Sequence, residues 1–515
     1  MSDKEIWQNF SQLNESESAK QASLDEFREE LPFEADDKGF LSAKAPRRDF
    51  LKYLGFSTAA ATLAASCEMP VKKAIPYTNK PESITPGVSN FYATTFVQDG
   101  DVISVVAKVR DGRPVKIEGN ELSPITKGGT SARAQASVLD LYDTARLRYP
   151  QQRVGKEWKE VSTFEAIDKM VNDTMASIGN GSVVLLTSTI TSPSTKQIIS
   201  EFLAKYPGSR HVQYDAVSYS GMLMANEACY GKRTIPSYLF DKAKVIVSLS
   251  ADFLGTWLSP VEFAKQYSLG RKIDEKQPIL SKHYQFESIM SMTGANADER
   301  YTHRPSEIGA VAFSLLNAIN GQGASVSNAK LKAGIEKAAK DLKANVGAAL
   351  VVCGSNDPNI QVIVNAINEA IGANGKTINW SLPVNYRQGI DTDMVKLIDD
   401  MNAGAVGALL IYGANPAYNH PLSDKFKSGL SKVKIAVSFN EKMDETTELC
   451  NYSIPSPHYL ESWGDAEPKQ GYYSLIQPTI NPLFKTRSWQ DSLLKWGNKG
   501  ASTTTNTNTD IRANK

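Results

Sequence analysis

Cysteine is scarce in this chain: there are four in 515 residues, Cys67, Cys229, Cys353 and Cys450, and no two of them form a Cys-x-x-Cys pair. Zinc and iron–sulfur sites draw ligands in closely spaced pairs, so the spacing argues against such a site built from this chain alone. Isolated buried thiols are favoured over a disulfide among the last three. Net charge is missing too, with Lys+Arg 57 against Asp+Glu 56. Nothing global therefore points to nucleic acid or an anionic membrane. The Ala-rich run before Cys67 is too short and too weakly apolar to span a membrane. The loop Thr189-Ile190-Thr191-Ser192-Pro193-Ser194 has no G-x-G-x-x-G, which removes the dinucleotide fingerprint.

What is present begins at the N-terminus. At this length two to four domains with large cores are expected. Residues 1–46 are polar and acid-rich, with Ile6, Trp7, Phe10 and Leu13 spaced for a short amphipathic helix. They read as a disordered extension removed with the signal, the sharper alternative being a partner contact before export. Residues 47–67 run Arg47-Arg48-Asp49-Phe50-Leu51-Lys52, an apolar stretch, then Ser66-Cys67. This resembles a twin-arginine export signal, an address and not a fold element. Leu63-Ala64-Ala65-Ser66 before Cys67 resembles a lipoprotein processing site, with Leu63 one place further from the Cys than the commonest pattern. Acylated Cys67 would tether the mature chain to the periplasmic face of a bacterial inner membrane; the alternative is an ordinary Cys at the mouth of a retained anchor.

Hydrophobic periodicity divides the rest. Residues 68–160 read as a small β-rich region, with a hairpin from Val102–Val109 through Asp111-Gly112 to Pro114–Ile117. Residues 161–330 read as a first α/β lobe: helix 164–178, strand 182–188, helix 194–205 and strand 244–250 imply a parallel sheet covered on both faces. Residues 331–440 read as a second such lobe, with strands 348–353, 408–412 and 435–438 and a helix over 359–371. Residues 441–497 close the body as a loop-rich segment, of which 441–448 is helix-like and acidic. Within it His458, Glu461 and Asp465 are either an acid–base or metal cluster or groups that order a loop. Residues 498–515 are a Gly-, Ser-, Thr- and Asn-rich tail, read as disordered.

Several stretches carry a resemblance. Val109-Arg110-Asp111-Gly112-Arg113-Pro114-Val115-Lys116-Ile117-Glu118-Gly119-Asn120, then Lys127 to Ala136, Leu141-Tyr142-Asp143 and Arg146 to Pro150 resemble the N-terminal region of the molybdopterin oxidoreductases. Ser250 to Glu262, Lys73-Ala74-Ile75-Pro76-Tyr77 and the variant export signal resemble one subgroup, the large subunit of alternative complex III, a bacterial membrane assembly that oxidises quinol. The resemblance implies an α/β, molybdopterin-oxidoreductase-like fold with two parallel-sheet, nucleotide-binding-like lobes and a small β-rich region.

The departures from that family are as informative. Cluster-bearing members have Cys where this chain has Ser131, and no Cys lies between Met69 and Thr130. The N-terminal iron–sulfur cluster is therefore expected to be absent, and Arg133 becomes a surface or packing residue. The loop that carries the metal ligand in active relatives reads Asp215 to Gly221 without Cys, leaving Ser218 and Ser220 as conceivable ligands or as turn and cap residues. Gly413, Asn415 and Pro416 match a turn that touches the guanine-nucleotide part of the cofactor in the family, or merely build a sharp turn. No catalytic residue and no cofactor are expected in this chain. Iron–sulfur clusters would lie on the family's ferredoxin-like half, which this sequence does not contain, or on a partner. Implied partners are cluster- and heme-bearing and quinol-binding membrane subunits, around a cofactor-less scaffold. The alternative is an active molybdenum or tungsten bis-pterin oxidoreductase.

Overall fold

Alternating apolar runs and amphipathic helices assemble here into layered α/β sheets. The computed structural model describes residues 85, 87–98, 100–178, 181–273 and 280–497, all within one compact unit, Pro81–Lys515. The readings on residues 1–46, Arg47, Arg48, Cys67, the 73–77 segment and the tail 498–515 lie outside the described residues.

Three strands come first, β1 (Ser89–Gln98), β2 (Asp101–Arg110) and β3 (Arg113–Gly119), in an antiparallel sheet. The hairpin expected at Asp111-Gly112 is the β2–β3 turn, and both residues hold the positive φ that a tight hairpin demands. Helix α1 (Ala132–Asp140) closes the face of this sheet, setting Ala134 and Val138 over Phe96, Val105 and Ile117. Then follow β4 (Gln151–Val154), β5 (Glu157–Glu160), α2 (Phe164–Ala176), β6 (Ser182–Thr187), α3 (Pro193–Leu203) and β7 (Arg210–Gln213). Thr163 and Ser192 cap α2 and α3 through their side-chain oxygens.

After β7 the chain leaves that sheet. It runs through α4 (Ser220–Tyr230), β8 (Ile235–Tyr238), β9 (Val245–Leu249), α5 (Pro260–Arg271), β10 (Lys282–Glu287), β11 (Glu299–Thr302), α6 (Ile308–Ile319), α7 (Ala329–Ala344), β12 (Ala349–Cys353), α8 (Pro358–Ala370) and β13 (Ile378–Val384). It then returns with α9 (Asp391–Asn402), β14 (Val406–Tyr412), α10 (Ser423–Leu430), β15 (Ile435–Ser438) and β16 (Tyr452–Ser453). The hairpin β17 (Gly464–Lys469) and β18 (Tyr472–Ile476) and helix α11 (Trp489–Gly497) complete it.

The sheets do not follow the contiguous division into lobes 161–330 and 331–440. One seven-stranded sheet has the order β5-β4-β16-β15-β14-β6-β7, so β6 pairs with β14 and not with β9. The parallel sheet β11-β10-β9-β12 is a separate one, and β18-β17-β13-β8 form an antiparallel sheet. The reason is visible in the strands themselves. Val183 and Leu185 of β6 face a core with α2, α3 and α11, while Val184 and Leu186 face a second core with α9 and α10. A strand apolar on both faces needs cover on both, and each such side chain contributes roughly 1.5–3 kcal/mol on burial. The second parallel sheet is wrapped likewise, with Ile246, Val247, Leu350 and Val351 against α5, α6, α7 and α8.

Residues 441–448, expected to be helical, are not. Asp444 accepts hydrogen bonds from Thr447 N at 2.7 Å and Asn440 Nδ2 at 2.8 Å, which ties the segment into a loop ending in the single 3-10 turn Thr447–Leu449. The C-terminal segment, read as loop-rich, also contributes the β17–β18 hairpin to the sheet of β13 and β8.

Candidate functional site

Parallel strands end where ligands are taken up in such sheets, because the strand ends leave free backbone groups and loops diverge there. The loops after β6, β7, β14, β15 and β16 all open on one cleft of about 640 Å³. Ser188–Ser192, Tyr214–Val217, Gly413–Asn415, Asn440–Lys442 and Ser456–Tyr459 line it, together with Arg387 and Asp465.

Asp215, directly after β7, ties its wall together. Buried at 6% exposure, it accepts from Thr189 N at 3.1 Å, Thr189 Oγ1 at 2.6 Å and Gly389 N at 2.9 Å. Thr189 Oγ1 in turn accepts from Gln388 N at 2.7 Å. One carboxylate thus clamps loops from three parts of the chain, the charge-assisted kind of bond that is strongest when buried. Beside it Arg387 holds a left-handed φ of +58°, costly for a residue with a Cβ. Its buried Nε has no hydrogen-bond partner, and Nη1 reaches Val217 O at 3.4 Å.

The turn after β14 is a self-contained brace. Gly413 takes φ +64° and a Cβ there would meet Ser188 Oγ at 2.7 Å, so glycine is favoured. Its N–H donates to Asn440 Oδ1 at 2.7 Å. Asn415 Oδ1 accepts from Thr446 Oγ1 at 2.7 Å and Thr446 N at 3.2 Å, and its Nδ2 donates to Glu445 at 2.8 Å. Pro416 is buried and starts a four-residue helical turn. The Asn415 side chain is thus occupied with its own loop.

Ser218 and Ser220 stand at the start of α4 and do not line the cleft. Ser218 Oγ accepts from Ser220 N at 3.0 Å, and buried Ser220 Oγ accepts from Asp391 N at 3.2 Å. Both hydroxyls therefore do the work of turn residues. Ser131 caps α1, accepting from Ala134 N at 3.1 Å. Arg133 lies half exposed with Nη1 3.3 Å from Asp101. None of the described cysteines lines the cleft: Cys229 is exposed, Cys353 and Cys450 are buried, and no disulfide joins them. Among the described residues no three His, Cys, Asp or Glu gather to hold a metal.

His458, Glu461 and Asp465 do not converge as a triad. Asp465 bonds the start of α3, accepting from Ser194 Oγ at 2.6 Å and from Ser192 Oγ. Glu461 lies beneath the cleft wall, in a buried pair with Arg146. His458 Nδ1 accepts from Leu460 N at 3.3 Å, and burial pulls its imidazole down to about 3, so it is neutral. The group poised to titrate near neutrality is Glu441, raised to about 7 by burial and held back by Arg146, whose Nε lies 3.9 Å away. Lys442 beside it is taken up by Asp143 at 2.7 Å and Asp140 at 3.2 Å.

Sequence reasoning named the Gly413–Pro416 turn but missed Asp215 and Thr189 as its opposing wall. A lone carboxylate two residues past a strand end was the available signal; for Arg387, whose role rests on backbone conformation, there was none.

No family model matches the chain. It is similar to the menaquinone reductase, molybdopterin-binding-like subunit of Nitratidesulfovibrio vulgaris, 25% identical over 506 residues that cover 88% of this chain and 72% of that protein. Among solved structures it is similar to acetylene hydratase from Pelobacter acetylenicus, with a TM-score of 0.59 and 14% identity over 78% of this chain and 68% of that one, a likeness of fold. With its parallel sheets and the cleft at their carboxyl ends, the chain has a molybdopterin-oxidoreductase-like fold.

Proposed function

We propose that this chain is a molybdopterin-like subunit of a quinone-linked electron-transfer complex at a membrane, in which it serves as scaffold and holds no metal of its own. The relationship over 88% of the chain to a subunit named for menaquinone reduction is the observation that carries the quinone link. The scaffold role is supported by the donor set. No described cysteine lines the cleft, Ser218 and Ser220 are spent on backbone hydrogen bonds, and Asn415 is spent on Thr446 and Glu445. Neither a described cysteine nor the two matching serines is thus free to tie a molybdenum or tungsten centre to the chain. Electrons would pass through iron–sulfur clusters and hemes on partner chains, and alternative complex III is the assembly proposed. Export through Arg47 and Arg48 and acylation of Cys67 would put the body on the periplasmic face of the inner membrane.

One observation favours the second reading, an active bis-pterin enzyme: the cleft of about 640 Å³ retains Arg387, whose Nε has no partner. Elemental analysis of the complex purified from membranes separates the two. Iron without molybdenum or tungsten, together with quinol-dependent dye reduction, is expected; stoichiometric molybdenum or tungsten with bound pterin overturns the scaffold. Mass spectrometry of the mature N-terminus should find acylated Cys67, and Arg47→Lys with Arg48→Lys should hold the protein in the cytoplasm.

A further inference from the structure

Three cations line the cleft at the strand ends, Arg133, Arg387 and Lys442. Two of them are paired: Lys442 is held by Asp143 and Asp140, and Arg133 Nη1 stands 3.3 Å from Asp101. Arg387 has no carboxylate in ion-pair range among the described residues. The acids that share the lining are committed elsewhere, Asp140 to Lys442, Asp215 to Thr189 and Gly389, Glu441 to Arg146, Asp444 to Asn440 and Thr447, and Asp465 to Ser192 and Ser194.

The surroundings also strip this guanidinium of water. Arg387 is 8% exposed, and its buried Nε has no partner. The β1–β2 turn lies against it: Gly100, at φ +81°, comes so close that a Cβ there would run into Nε, Cζ and Cδ of Arg387. Its one hydrogen bond to the described chain, from Nη1 to Val217 O, is long at 3.4 Å, and Nη2 makes none. A desolvated charge without a counter-charge destabilises a fold strongly. The backbone adds a second cost, because Arg387 is held at a left-handed φ of +58°. An uncharged side chain would fill this place with less penalty, so packing does not explain a guanidinium here. A counter-ion that arrives with a ligand does.

We propose that Arg387 is the anion-binding group of a small-molecule site in this cleft, which takes an organic oxyanion, a carboxylate or a phosphate ester, without any metal. Nη2 and the second N–H of Nη1 donate to the oxyanion, whose two oxygens match the planar fork in either chemistry. The cleft of about 640 Å³ is of the size that small organic ligands fill, and far larger than an inorganic ion needs. Ser456 Oγ, in the same lining, is buried at 3% exposure without a hydrogen-bond partner and answers an uncharged polar group on the ligand's body. The inference goes beyond the scaffold reading and does not rest on the quinone link.

The test is a calorimetric titration of the purified full chain, free of metal and pterin, with succinate, glycerol 3-phosphate and inorganic phosphate, each against chloride at matched ionic strength. Saturable binding of succinate or glycerol 3-phosphate is expected, and the tighter of the two tells a carboxylate from a phosphate ester. Inorganic phosphate should bind more weakly, since it leaves Ser456 unanswered. Arg387→Gln should weaken the binding roughly tenfold or more through loss of a charge-assisted bond. The same variant without ligand should melt no lower than the wild type, because an unpaired buried charge leaves with the guanidinium. Arg387→Gly, which suits the left-handed φ, serves if Arg387→Gln fails to fold. No binding above chloride, binding of inorganic phosphate alone, unchanged affinity in a folded variant, or a marked loss of melting temperature in both variants would overturn the site. Any of these leaves the scaffold reading standing, whereas molybdenum or tungsten with pterin in the native complex removes that reading and not the anion site.

Discussion

Arg146 and Glu461, far apart in sequence, meet in a forked ion pair closed to solvent, with Nη2–Oε2 at 2.6 Å and Nη1–Oε1 at 3.1 Å. Glu461 also accepts from His458 N and Leu483 N, each at 3.0 Å, so a single carboxylate binds the loop 458–461 to the 483 segment and to the end of the small β-rich region.

Removing one partner should therefore cost more than removing both. Arg146→Met leaves Glu461 charged and buried without its counter-ion, and a loss of about 3–5 kcal/mol in urea unfolding is expected. Adding Glu461→Gln to Arg146→Met should recover part of it. Equal loss in the single and the double variant would refute the pairing.

Asp215 makes a prediction about local order. Asp215→Ala strands Thr189 N and Gly389 N, two donors inside a buried wall, each costing about 1–3 kcal/mol when unpaired. Hydrogen exchange should accelerate in 187–192 and 387–391 and stay unchanged in β9 and β12. Uniform acceleration would mean that Asp215 is no local clamp.

Gly221 opens α4 pressed against the Asn356 carbonyl, where a Cβ would meet the oxygen at 2.0 Å. Gly221 N also donates to Asn356 Oδ1 at 2.8 Å. Alanine normally favours a helix over glycine by about 1 kcal/mol, yet here Gly221→Ala should lower the melting temperature. A rise would show that the backbones separate easily.

Two opposing titrations should shape stability below neutrality. Burial lowers His211 and His283 to about 4 and His458 to about 3. A depressed imidazole contributes stability above the ordinary histidine value that is lost as pH falls toward the folded value, so the acid limb should run from about 6.5 down to 4 and below. Glu441, raised to about 7 by burial, behaves oppositely. Its contribution is complete below the ordinary carboxylate value and is lost as pH rises through 7. Its window, from about 4.5 to 7, overlaps that of the histidines and opposes it, so Glu441→Gln should steepen the fall in urea midpoint between pH 7 and 4.5 and leave the profile above pH 8 in place; an unchanged profile would exclude Glu441 as the titrating group.

The individual strands were legible because β6, β9, β12 and β14 are short, predominantly apolar runs, and helices α2, α3 and α8 because capped amphipathic periods announce themselves. Which strand joins which sheet was not, since a run such as Val183-Val184-Leu185-Leu186 is apolar on both faces and has no alternation to fix its neighbours. The β17 strand was hidden for another reason: Gly464-Asp465-Ala466-Glu467-Pro468-Lys469 is polar and contains a proline, and tertiary context alone makes it a strand. The Gly413 turn was readable from its glycine and proline; the Asp215 clamp depends on Gly389, which no local pattern links to it.

The pairing of β6 with β14 also sets an order of assembly. When the ribosome has released β6 and β7, the strand that belongs beside them has not been made, and the whole second parallel sheet must emerge first. Until Val406–Tyr412 arrives, Val184 and Leu186 have neither their neighbour nor the cover of α9 and α10. The seven-stranded sheet is thus a late product of synthesis, dominated by distant contacts, and the half-made chain exposes an apolar strand edge from the time β6 emerges until β14 is made. Chaperone demand should accordingly peak before β14 emerges and fall once it has docked.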